Sequence, residues 1–492
     1  MVKMKLNDLT EDLLVFQKST SHNPTITSVE MDSRKIQSGS LFVALRGFTV
    51  DGHQFAEQAE QKGASAIIAE EVLNVSIPVI VVKDSYRALA QIAAKFYDDP
   101  TKQLNVIGVT GTNGKTTTTH LIENIFNEAK RSLGLIGTLY TKYANETFES
   151  KNTTPESLLL QKTFRDMADA DVTDVAMEVS SQALALGRVR GTDFNVAVFT
   201  NLTADHLDYH ETIDNYKHAK SLLFSQLGNR YADELKAAVL NIDDPVSAEL
   251  MQATAAPVIT YGLSDKADVC GKNLRQTPSG TFFTLEIGDQ SIDLDLKMVG
   301  RFNVYNALAA ASAAYVSGIS LETIKSSLEA SKPIPGRFET VNLGQDYAVI
   351  VDYAHTADSL DNIMQTVKDL ATKNVYVVVG CGGDRDRTKR PEMARIAESF
   401  ADLAIFTSDN PRSEDPEHIL RDMVAGVQTN RYEVIVNRTE AIDYAISKAT
   451  KDDVIVIAGK GHETYQEVNG VFHDFDDREV AKEAIMKRLS QA

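Results

Sequence analysis

The chain has 492 residues, of which 43% are hydrophobic and 24% charged, a composition typical of soluble globular proteins. At this length we expect about three domains of ~150 residues each. The formal net charge of −19 argues against nucleic acid or an anionic membrane as the main partner, so local clusters of arginine and lysine must bind any anionic ligand.

The two cysteines, Cys270 and Cys381, are too few for a disulfide framework, as expected of a protein from a reducing compartment. The N-terminal residues lack the apolar core of about 7–15 residues that a signal peptide needs. No run approaches the ~18 apolar residues that predict a membrane helix. We therefore expect a cytoplasmic protein that spans no membrane.

The first hundred residues alternate apolar runs with amphipathic stretches, which predicts a small α/β unit. Strands are predicted within 27–34, 40–45, 64–71 and 78–84, and helices over 55–63 and 86–97. The polar segment 97–102 contains a proline and precedes the next apolar strand, so we interpret it as a linker. The first domain is expected to end at residue 101.

An apolar strand, a glycine turn and a helix follow one another between residues 105 and 119. Gly111 and Gly114 bound the turn, and Lys115 and Thr116 begin the helix. Backbone N–H groups in such a turn approach phosphates closely, and a threonine there can hold magnesium. Val109 stands where the general pattern has its first glycine, so an ordinary strand–turn–helix corner is the alternative. Because the full context seldom arises by chance, we predict a nucleotide site.

Polar residues follow two predicted strands of the middle region, which continues to about residue 332. Strands are predicted at 173–179, 194–200, 237–241 and 257–261, and a β-hairpin at 282–298. Glu178 lies at the end of the first of these strands, and His206 follows the second. A carboxylate and a histidine beside a phosphate loop suit a nucleotide-bound metal. Asp205, Asp208 and His210 are as consistent with turns or caps as with chemistry.

A proline-bounded segment at 332–336 precedes a third region. Strands there are predicted at 348–352, 375–379, 403–407, 432–436 and 454–458. Helices between them indicate right-handed βαβ units and a mostly parallel sheet, whose carboxyl strand ends form one crevice. Six polar residues are expected to converge there: Arg385, Asp409, Asn410, Arg412, Gly459 and Glu463. Taken alone, Asp-Asn-Pro-Arg at 409–412 is better explained as a turn before a helix near Pro416, but three similar strand ends favour a site.

Eight motifs occur in a fixed order: GTNGKTTT, NTTPE, EVSS, NLTADHLDYH, HAKSLLF, GRFNVYNALAA, GRFE and DYAHT. Together they strongly resemble the Mur ligases, the ATP-dependent amide-forming enzymes of peptidoglycan precursor synthesis. The resemblance extends from Asp32 to Glu463 and is closest to the members that add a third amino acid to UDP-N-acetylmuramoyl-L-alanyl-D-glutamate. It implies an α/β protein of three domains: 1–101 for the UDP-sugar, 102–333 as a central phosphate-loop ATPase with a parallel sheet, and 334–492 as a Rossmann-like domain for the amino acid.

The resemblance implies a role for each matching residue. ATP would be bound by Gly111, Thr112, Asn113, Gly114, Lys115, Thr116, Thr117, Asn303, Asn306, Arg337 and His355. The muramoyl-peptide would contact Asn152, Thr153, Thr154, Ser180 and Arg188, with Ser33 at its UDP end. The catalytic residues would be Lys115, Glu178, His206 and Lys220, the last matching a lysine that is carbamylated in the family. Magnesium would be held by Thr116, Glu178, His206 and the Lys220 carbamate. Leu186 stands where some members carry glutamine, so that contact is not carried over.

The incoming amino acid would be meso-diaminopimelate, because Asp-Asn-Pro-Arg resembles the members that use it, whereas lysine-adding relatives lack the arginine. Diaminopimelate is lysine with a further carboxylate, which a guanidinium can clamp, while lysine's ammonium would be repelled. Glu463 would take an ammonium group. The site would comprise Arg385, Asp409, Asn410, Pro411, Arg412, Gly459 and Glu463.

Three alternatives remain open. The first is the same ligase with L-lysine as its substrate. The second is a folylpolyglutamate synthase, which shares the ATPase plan but leaves the N-terminal domain without a role. The third is a nucleotide-binding regulator without turnover, against which the intact catalytic residues argue. We expect ATP and Mg²⁺ as cofactors, small-molecule substrates, no nucleic-acid or membrane partner, and a monomer.

Overall fold

The structure is a computed structural model that describes residues 3–13, 16–47, 50–229, 235–277 and 280–490. Elements of the first region are β1 (Met4–Lys5), α1 (Leu6–Leu9), β2 (Phe16–Lys18), β3 (Thr25–Ile26), β4 (Ser28–Glu30), β5 (Ser40–Val43), α2 (Ala56–Gln61), β6 (Ala66–Ala69), β7 (Val79–Val82) and α3 (Ser85–Phe96). Strands β2, β7, β6, β5 and β4 form one sheet in that order, parallel except for β2, and β1 pairs with β3.

The middle region contains the longest sheet. Its elements are β8 (Asn105–Thr110), α4 (Lys115–Glu128), β9 (Leu133–Ile136), β10 (Tyr140–Tyr143), β11 (Glu146–Glu149), α5 (Ser157–Asp169), β12 (Asp174–Glu178), α6 (Ser181–Ala185), β13 (Val196–Phe199), α7 (Leu207–His210), α8 (Ile213–Ser225), β14 (Ala237–Asn241), α9 (Ser247–Ala253), β15 (Val258–Gly262), β16 (Val269–Thr277), β17 (Gly280–Ile287), β18 (Gln290–Leu296), α10 (Arg301–Val316) and α11 (Leu321–Ala330).

These strands form one eleven-stranded sheet in the order β11-β10-β9-β12-β8-β13-β14-β15-β16-β17-β18. The seven strands from β9 to β16 are parallel, and an antiparallel pair lies at each edge. Residues Ile107 and Val109 of β8 pack in one core with Leu121 and Ile125 of α4 and with the alanines of α10. Strand β8 lies between β12 and β13, so the loops that follow these three strands meet at one crevice.

The third region has a six-stranded sheet with helices on both faces. Its elements are β19 (Glu339–Thr340), β20 (Ala348–Asp352), α12 (Ala357–Leu370), β21 (Val375–Val379), α13 (Lys389–Phe400), β22 (Leu403–Phe406), α14 (Pro416–Val424), β23 (Tyr432–Val434), α15 (Arg438–Lys448), β24 (Val454–Ala458), β25 (Tyr465–Val468), β26 (Val471–Asp474) and α16 (Asp477–Leu489). The order is β19-β20-β24-β21-β22-β23, parallel except for β19, while β25 and β26 form a separate hairpin.

The α/β fold class is confirmed, and the predicted strands at 348–352, 375–379 and 454–458 have the bounds of β20, β21 and β24. The predicted hairpin forms as β17 and β18, and the helix predicted over 86–97 forms as α3. The strands that were not expected are β1, β2, β3, β9, β10, β11, β16, β19, β25 and β26. The domain bounds at 101 and 333 fall between the sheets and stay predictions. None of the helices in the described ranges is long and apolar enough to cross a membrane.

Candidate active site

The predicted phosphate loop joins β8 to α4 and packs tightly against neighbouring side chains. Gly114 has a φ of +86°, and a Cβ atom there would collide with Oδ1 of Asn306. A Cβ atom at Gly111 would collide with Oγ1 of Thr200. Glycine is therefore required at both positions, because each has a positive φ and no room for a Cβ atom. Because glycine has no side chain, the backbone N–H groups at the start of α4 can be approached by an anionic ligand.

Lys115 folds back over this loop. Its Nζ donates to the carbonyl oxygens of Gly111 and Thr112, both at 2.8 Å. Burial lowers the pKa of Lys115, while Glu178 counteracts the shift. The amine therefore lies at the loop, where a phosphate could take over its contacts.

Glu178, at the end of β12, is 1% exposed and held by three hydrogen bonds. Oε2 accepts from Oγ1 of Thr116 at 3.0 Å and of Thr138 at 3.1 Å, and Oε1 accepts from the Thr138 N–H at 2.8 Å. A Cβ atom at Gly137 would crowd Oε1, so this glycine leaves room for the carboxylate. The predicted ligands Thr116 and Glu178 are thus in direct contact.

Lys220, on α8, is 2% exposed. Its Nζ donates to the carbonyl oxygen of Gly111 at 2.8 Å and lies 4.4 Å from the ring centroid of Tyr216. Burial lowers the pKa of Lys220 well below its usual value, and the charge of Lys115 adds to the shift. Burial at this position therefore favours the neutral form of the amine more than exposure to water would.

His206 directly precedes α7 with a left-handed φ of +54°. Its Nε2 lies 3.3 Å from Oδ2 of Asp205. Loss of hydration lowers the pKa of His206, Asp205 counteracts this, and Lys115 and Lys220 lower it further. The segment predicted as turn or cap chemistry is thus partly a short helix, and His210 bonds to Oγ of Ser181 at 2.9 Å.

The residues predicted for the nucleotide come from two regions of the chain. Asn303 donates to the Val299 carbonyl oxygen at 2.8 Å. Arg337 donates from Nη2 to Oγ1 of Thr116 at 3.3 Å, and its buried Nε has no partner among the described atoms. Desolvation lowers the pKa of His355 to about 4, and its Nδ1 lies 2.9 Å from the Tyr353 carbonyl oxygen.

The residues predicted to contact the muramoyl-peptide lie beside Glu178. Thr154 donates to the carbonyl oxygen of Glu178 at 2.9 Å and accepts from the Ser180 N–H at 3.0 Å. Arg188 donates to the Thr154 carbonyl oxygen at 3.1 Å and pairs with Glu156 at 2.6 Å. These contacts fix the Arg188 guanidinium against the backbone of Thr154, whose hydroxyl contacts Glu178.

One cleft of about 1660 Å³ brings most of the predicted residues together. From the predicted set it is lined by Thr112, Asn113, Gly114, Lys115, Thr116, Thr117, Asn152, Thr153, Thr154, Glu178, Ser180, Arg188, His206, Lys220, Asn306, Arg337, His355 and Arg385. Ser33 lies instead in the first region, where its Oγ donates to Gln58 at 3.0 Å. Of the residues predicted for diaminopimelate, Arg385 alone lines this cleft.

The other predicted diaminopimelate residues cluster at the carboxyl ends of β22 and β24. Asn410 donates from Nδ2 to Oε2 of Glu463 at 2.8 Å. Arg412 donates from Nη1 to the Gly383 carbonyl oxygen at 2.7 Å, and its Nε lies 3.2 Å from Oε2 of Glu467. Asp409 has a buried Oδ2 without a hydrogen-bond partner among the described atoms, and a Cβ atom at position 459 would lie 2.7 Å from it. The structure therefore brings the ends of β22 and β24 together. The contact of Arg412 with Gly383 joins them to the loop after β21, whereas Arg385 of that loop lines the cleft instead.

Comparisons with known proteins decide the family. Residues 25–97, 109–314 and 336–461 match the models of the Mur ligase family catalytic domain, the Mur ligase middle domain and the Mur ligase glutamate ligase domain. A Bacillus cereus protein named UDP-N-acetylmuramoyl-L-alanyl-D-glutamate--2,6-diaminopimelate ligase is 55% identical over 488 residues, 99% of each chain. The chain belongs to the Mur ligase family.

Three further proteins are similar to this chain. A protein of Halalkalibacterium halodurans with the same name is 56% identical over 485 residues, 99% of each chain. A solved structure of a UDP-N-acetylmuramoyl-L-alanyl-D-glutamate--2,6-diaminopimelate ligase is 33% identical, with a TM-score of 0.71 over 99% of this Mur ligase and 100% of that chain. MurF from Acinetobacter baumannii, at 20% identity and a TM-score of 0.67, shares the fold.

The donor set in this Mur ligase fits a magnesium ion. The Thr116 hydroxyl and the Glu178 carboxylate are hard oxygen ligands beside the phosphate loop, whereas a His206 nitrogen is a less usual ligand. Within the described ranges, no group of three or more His, Cys, Asp or Glu side chains could hold a metal. The predicted ligands also include the Thr116 hydroxyl and a carbamate on Lys220, which are not among those four side-chain types. The magnesium site therefore stays a prediction.

Sequence reasoning missed several residues that shape this site. Thr138 binds Glu178, and Asp358 accepts from the Asn113 amide at 2.8 Å, across 245 residues of sequence. Asp352 is 5% exposed and accepts from the Phe338 N–H at 2.6 Å, and burial raises its pKa to about 6. The sequence around Thr138 and Asp358 contains no pattern that predicts these contacts. Asp352 differs only in that it ends the apolar strand β20.

Proposed function

We propose that this Mur ligase uses ATP to join meso-2,6-diaminopimelate to the D-glutamate side-chain carboxylate of UDP-N-acetylmuramoyl-L-alanyl-D-glutamate. Support comes from the 55% identity over 99% of both chains with a relative of that name. A MurF ligase from Thermotoga maritima, solved in complex with ADP, supports nucleotide use at the shared fold.

An acid and an amine do not condense at neutral pH, so the carboxylate must first be activated. In the proposed reaction a carboxylate oxygen attacks the γ-phosphorus of ATP, which forms an acyl phosphate and releases ADP. The neutral amine of diaminopimelate then attacks the acyl carbon, and the tetrahedral intermediate expels phosphate as the amine proton is lost. Both steps crowd anions together, so cationic groups and backbone N–H donors provide most of the stabilisation.

The cleft supplies these groups. Lys115 would exchange its contacts with two loop carbonyl oxygens for the terminal phosphates. Arg337, whose guanidinium reaches Thr116 and whose Nε has no hydrogen-bond partner among the described residues, would bind the same region of the nucleotide. Arg188 would hold an anionic group of the peptide beside Glu178.

Thr116, Glu178, His206 and a carbamate on Lys220 would hold magnesium, and a bound ion would neutralise charge on the phosphates and the developing acyl phosphate. The low pKa of Lys220 supports the carbamate, because a neutral amine can add to carbon dioxide with loss of a proton. The product is an anionic oxygen ligand at the end of a formerly cationic side chain.

For the amino acid, Arg412 distinguishes diaminopimelate from L-lysine. Its guanidinium is held by the Gly383 carbonyl oxygen and by Glu467. Arg412 lies two residues after Asn410 along the chain, and from there it could clamp the extra carboxylate. A Mycobacterium tuberculosis folylpolyglutamate synthase covers 75% of this chain at 18% identity, which shows a shared fold alone. Residues 25–97, which match the Mur ligase family model, argue against that alternative.

Phosphate release from ATP tests this proposal. The assay supplies UDP-N-acetylmuramoyl-L-alanyl-D-glutamate with either meso-diaminopimelate or L-lysine, and a control omits the amino acid. Release only with diaminopimelate is expected. Release only with lysine would keep the ligase and overturn the substrate, and ATP binding without any amino-acid-dependent release would favour the regulatory alternative. A monomeric state and a cytoplasmic location stay predictions.

A further inference from the structure

Lys460 is a fully buried lysine that the proposed reaction does not use. It follows β24, between Gly459 and Gly461, and is 0% exposed. An ammonium group removed from water is costly unless charged or polar partners surround it. The partners of Lys460 therefore indicate why the residue is there.

Those partners are two side chains predicted to contact the amino acid. Nζ of Lys460 donates to Oδ1 of Asn410 and to Oε2 of Glu463, both at 3.0 Å. The same Nζ lies 5.4 Å from the ring centroid of Tyr465. Lys460 thus links the β22 loop to the β24 loop from inside the protein.

The network fixes the orientation of the Asn410 amide. Oδ1 accepts from both Lys460 and the Glu467 N–H, at 3.0 Å each, so Nδ2 must point to Glu463. If the amide were reversed, its NH₂ group would face the donors of Lys460 and Glu467, and its oxygen would face the Glu463 carboxylate. The hydrogen bonds on both sides of the amide would then be lost.

Lys460 also balances the charge around Glu463. Burial raises the pKa of Glu463, the neighbouring Asp409 raises it further, and Lys460 opposes both effects. The remaining groups that face this carboxyl are Asn410, Tyr353, Tyr465 and Arg438. Within this set, Lys460 is the cation in direct contact with Glu463.

We propose that Lys460 is a positioning residue for the incoming amino acid: it orients Asn410 and keeps Glu463 anionic, ready for a substrate ammonium group. This inference rests on the proposed function. Lys460 does not itself touch the substrate but acts through the two residues that do. Without the Lys460 charge the protonated form of Glu463 is favoured, so a neutral residue at position 460 should weaken amino-acid binding more at lower pH than at higher pH.

Two variants separate orientation from charge. Lys460→Gln keeps a hydrogen-bond donor and removes the charge, while Lys460→Met removes both. We expect Lys460→Gln to raise the KM for meso-diaminopimelate about tenfold at pH 7, with the KM for ATP nearly unchanged. At pH 9 the ratio of variant to wild-type KM should shrink, because a higher pH favours the ionised form of Glu463. Lys460→Met should show a larger increase that pH 9 reverses only in part.

Lys482→Met is the matched control, because Lys482 and Glu479 form an exposed pair with the same spacing as Lys460 and Glu463. It should leave both KM values unchanged. An equal increase in the KM for meso-diaminopimelate at pH 7 and pH 9 would show a merely structural role for Lys460 and overturn the inference. A parallel increase in the KM for ATP would do the same. If the wild type releases no phosphate with diaminopimelate, the proposed function is wrong. If it does, and Lys460→Gln binds normally, the inference alone is wrong.

Discussion

Arg412→Ala is the sharpest test of the proposed amino-acid specificity. The guanidinium is fixed by the Gly383 carbonyl oxygen at 2.7 Å and by Glu467 at 3.2 Å, and its side chain is 21% exposed. A guanidinium carries five N–H groups, so donors remain for a substrate carboxylate.

Two charge-assisted hydrogen bonds in this partly exposed setting contribute about 2–3 kcal/mol together, toward the lower end of the usual range. Removing them should raise the KM for meso-diaminopimelate about 30- to 150-fold. The KM for ATP should change little, because Arg412 does not line the nucleotide cleft.

The assay is steady-state phosphate release at varied diaminopimelate and saturating ATP. Arg421→Ala, which removes an exposed arginine from the nearby helix α14, is the control and should behave as wild type. An unchanged KM for diaminopimelate in Arg412→Ala would refute the carboxylate clamp. A parallel increase for ATP would instead indicate that the substitution disturbs the fold.

Three further predictions follow from buried contacts. Gly114→Ala should weaken ATP binding at least tenfold by calorimetry. The control Gly228→Ala has a similar φ of +80°, but no atom of the described residues beyond its chain neighbours lies within 4 Å of its Cβ, so it should cost only about 1 kcal/mol of stability and leave ATP binding intact. Arg438→Met leaves a fully buried carboxylate partner unpaired, so the free energy of unfolding in urea should fall by about 3–5 kcal/mol; a smaller loss than 1 kcal/mol would contradict this. Burial raises the pKa of Asp352 to about 6, so the folded protein keeps this carboxyl protonated at pH 4. The proton, and the stability that depends on it, are lost as the pH rises through 6. Between pH 4 and pH 7 the wild type should therefore lose up to about 3 kcal/mol of stability relative to Asp352→Asn, and identical pH profiles would exclude the effect.

Elements with a strong local pattern were predictable from the sequence. Strands β21 and β24 are apolar runs between a polar residue and a glycine, and β20 is an apolar run that ends in Asp352, so their bounds were correct to the residue. Strands β10 and β11 were missed because their side chains are half-buried or exposed, which leaves no apolar pattern. Strand β16 is interrupted by a register shift between Lys272 and Arg275, with Asn273 at a positive φ. The β-strand propensities of single residues do not predict such irregular strand pairing.

The candidate site divides in the same way. The phosphate loop was found because glycine, lysine and threonine act within one local turn. The burial of Lys460 could not be found, since a lysine between two glycines indicates a solvated loop unless the distant partners are known. The contact of Asp358 with Asn113 likewise depends on how two sheets are brought together.

The distribution of charge in the two clusters matches two different ligands. Around the phosphate loop, Lys115 and Arg337 supply local cationic groups in a chain whose net charge is −19, which suits anionic substrates. The strand-end cluster instead alternates charges of both signs: Asp409, Glu463 and Glu467 with Arg412, Arg438 and Lys460. Such a set suits a zwitterionic amino acid, whose ammonium and carboxylate groups each need an opposite partner. Because the clusters share few side chains, amino-acid specificity can change without loss of nucleotide binding, which is why the KM for ATP is the internal control in both substrate tests.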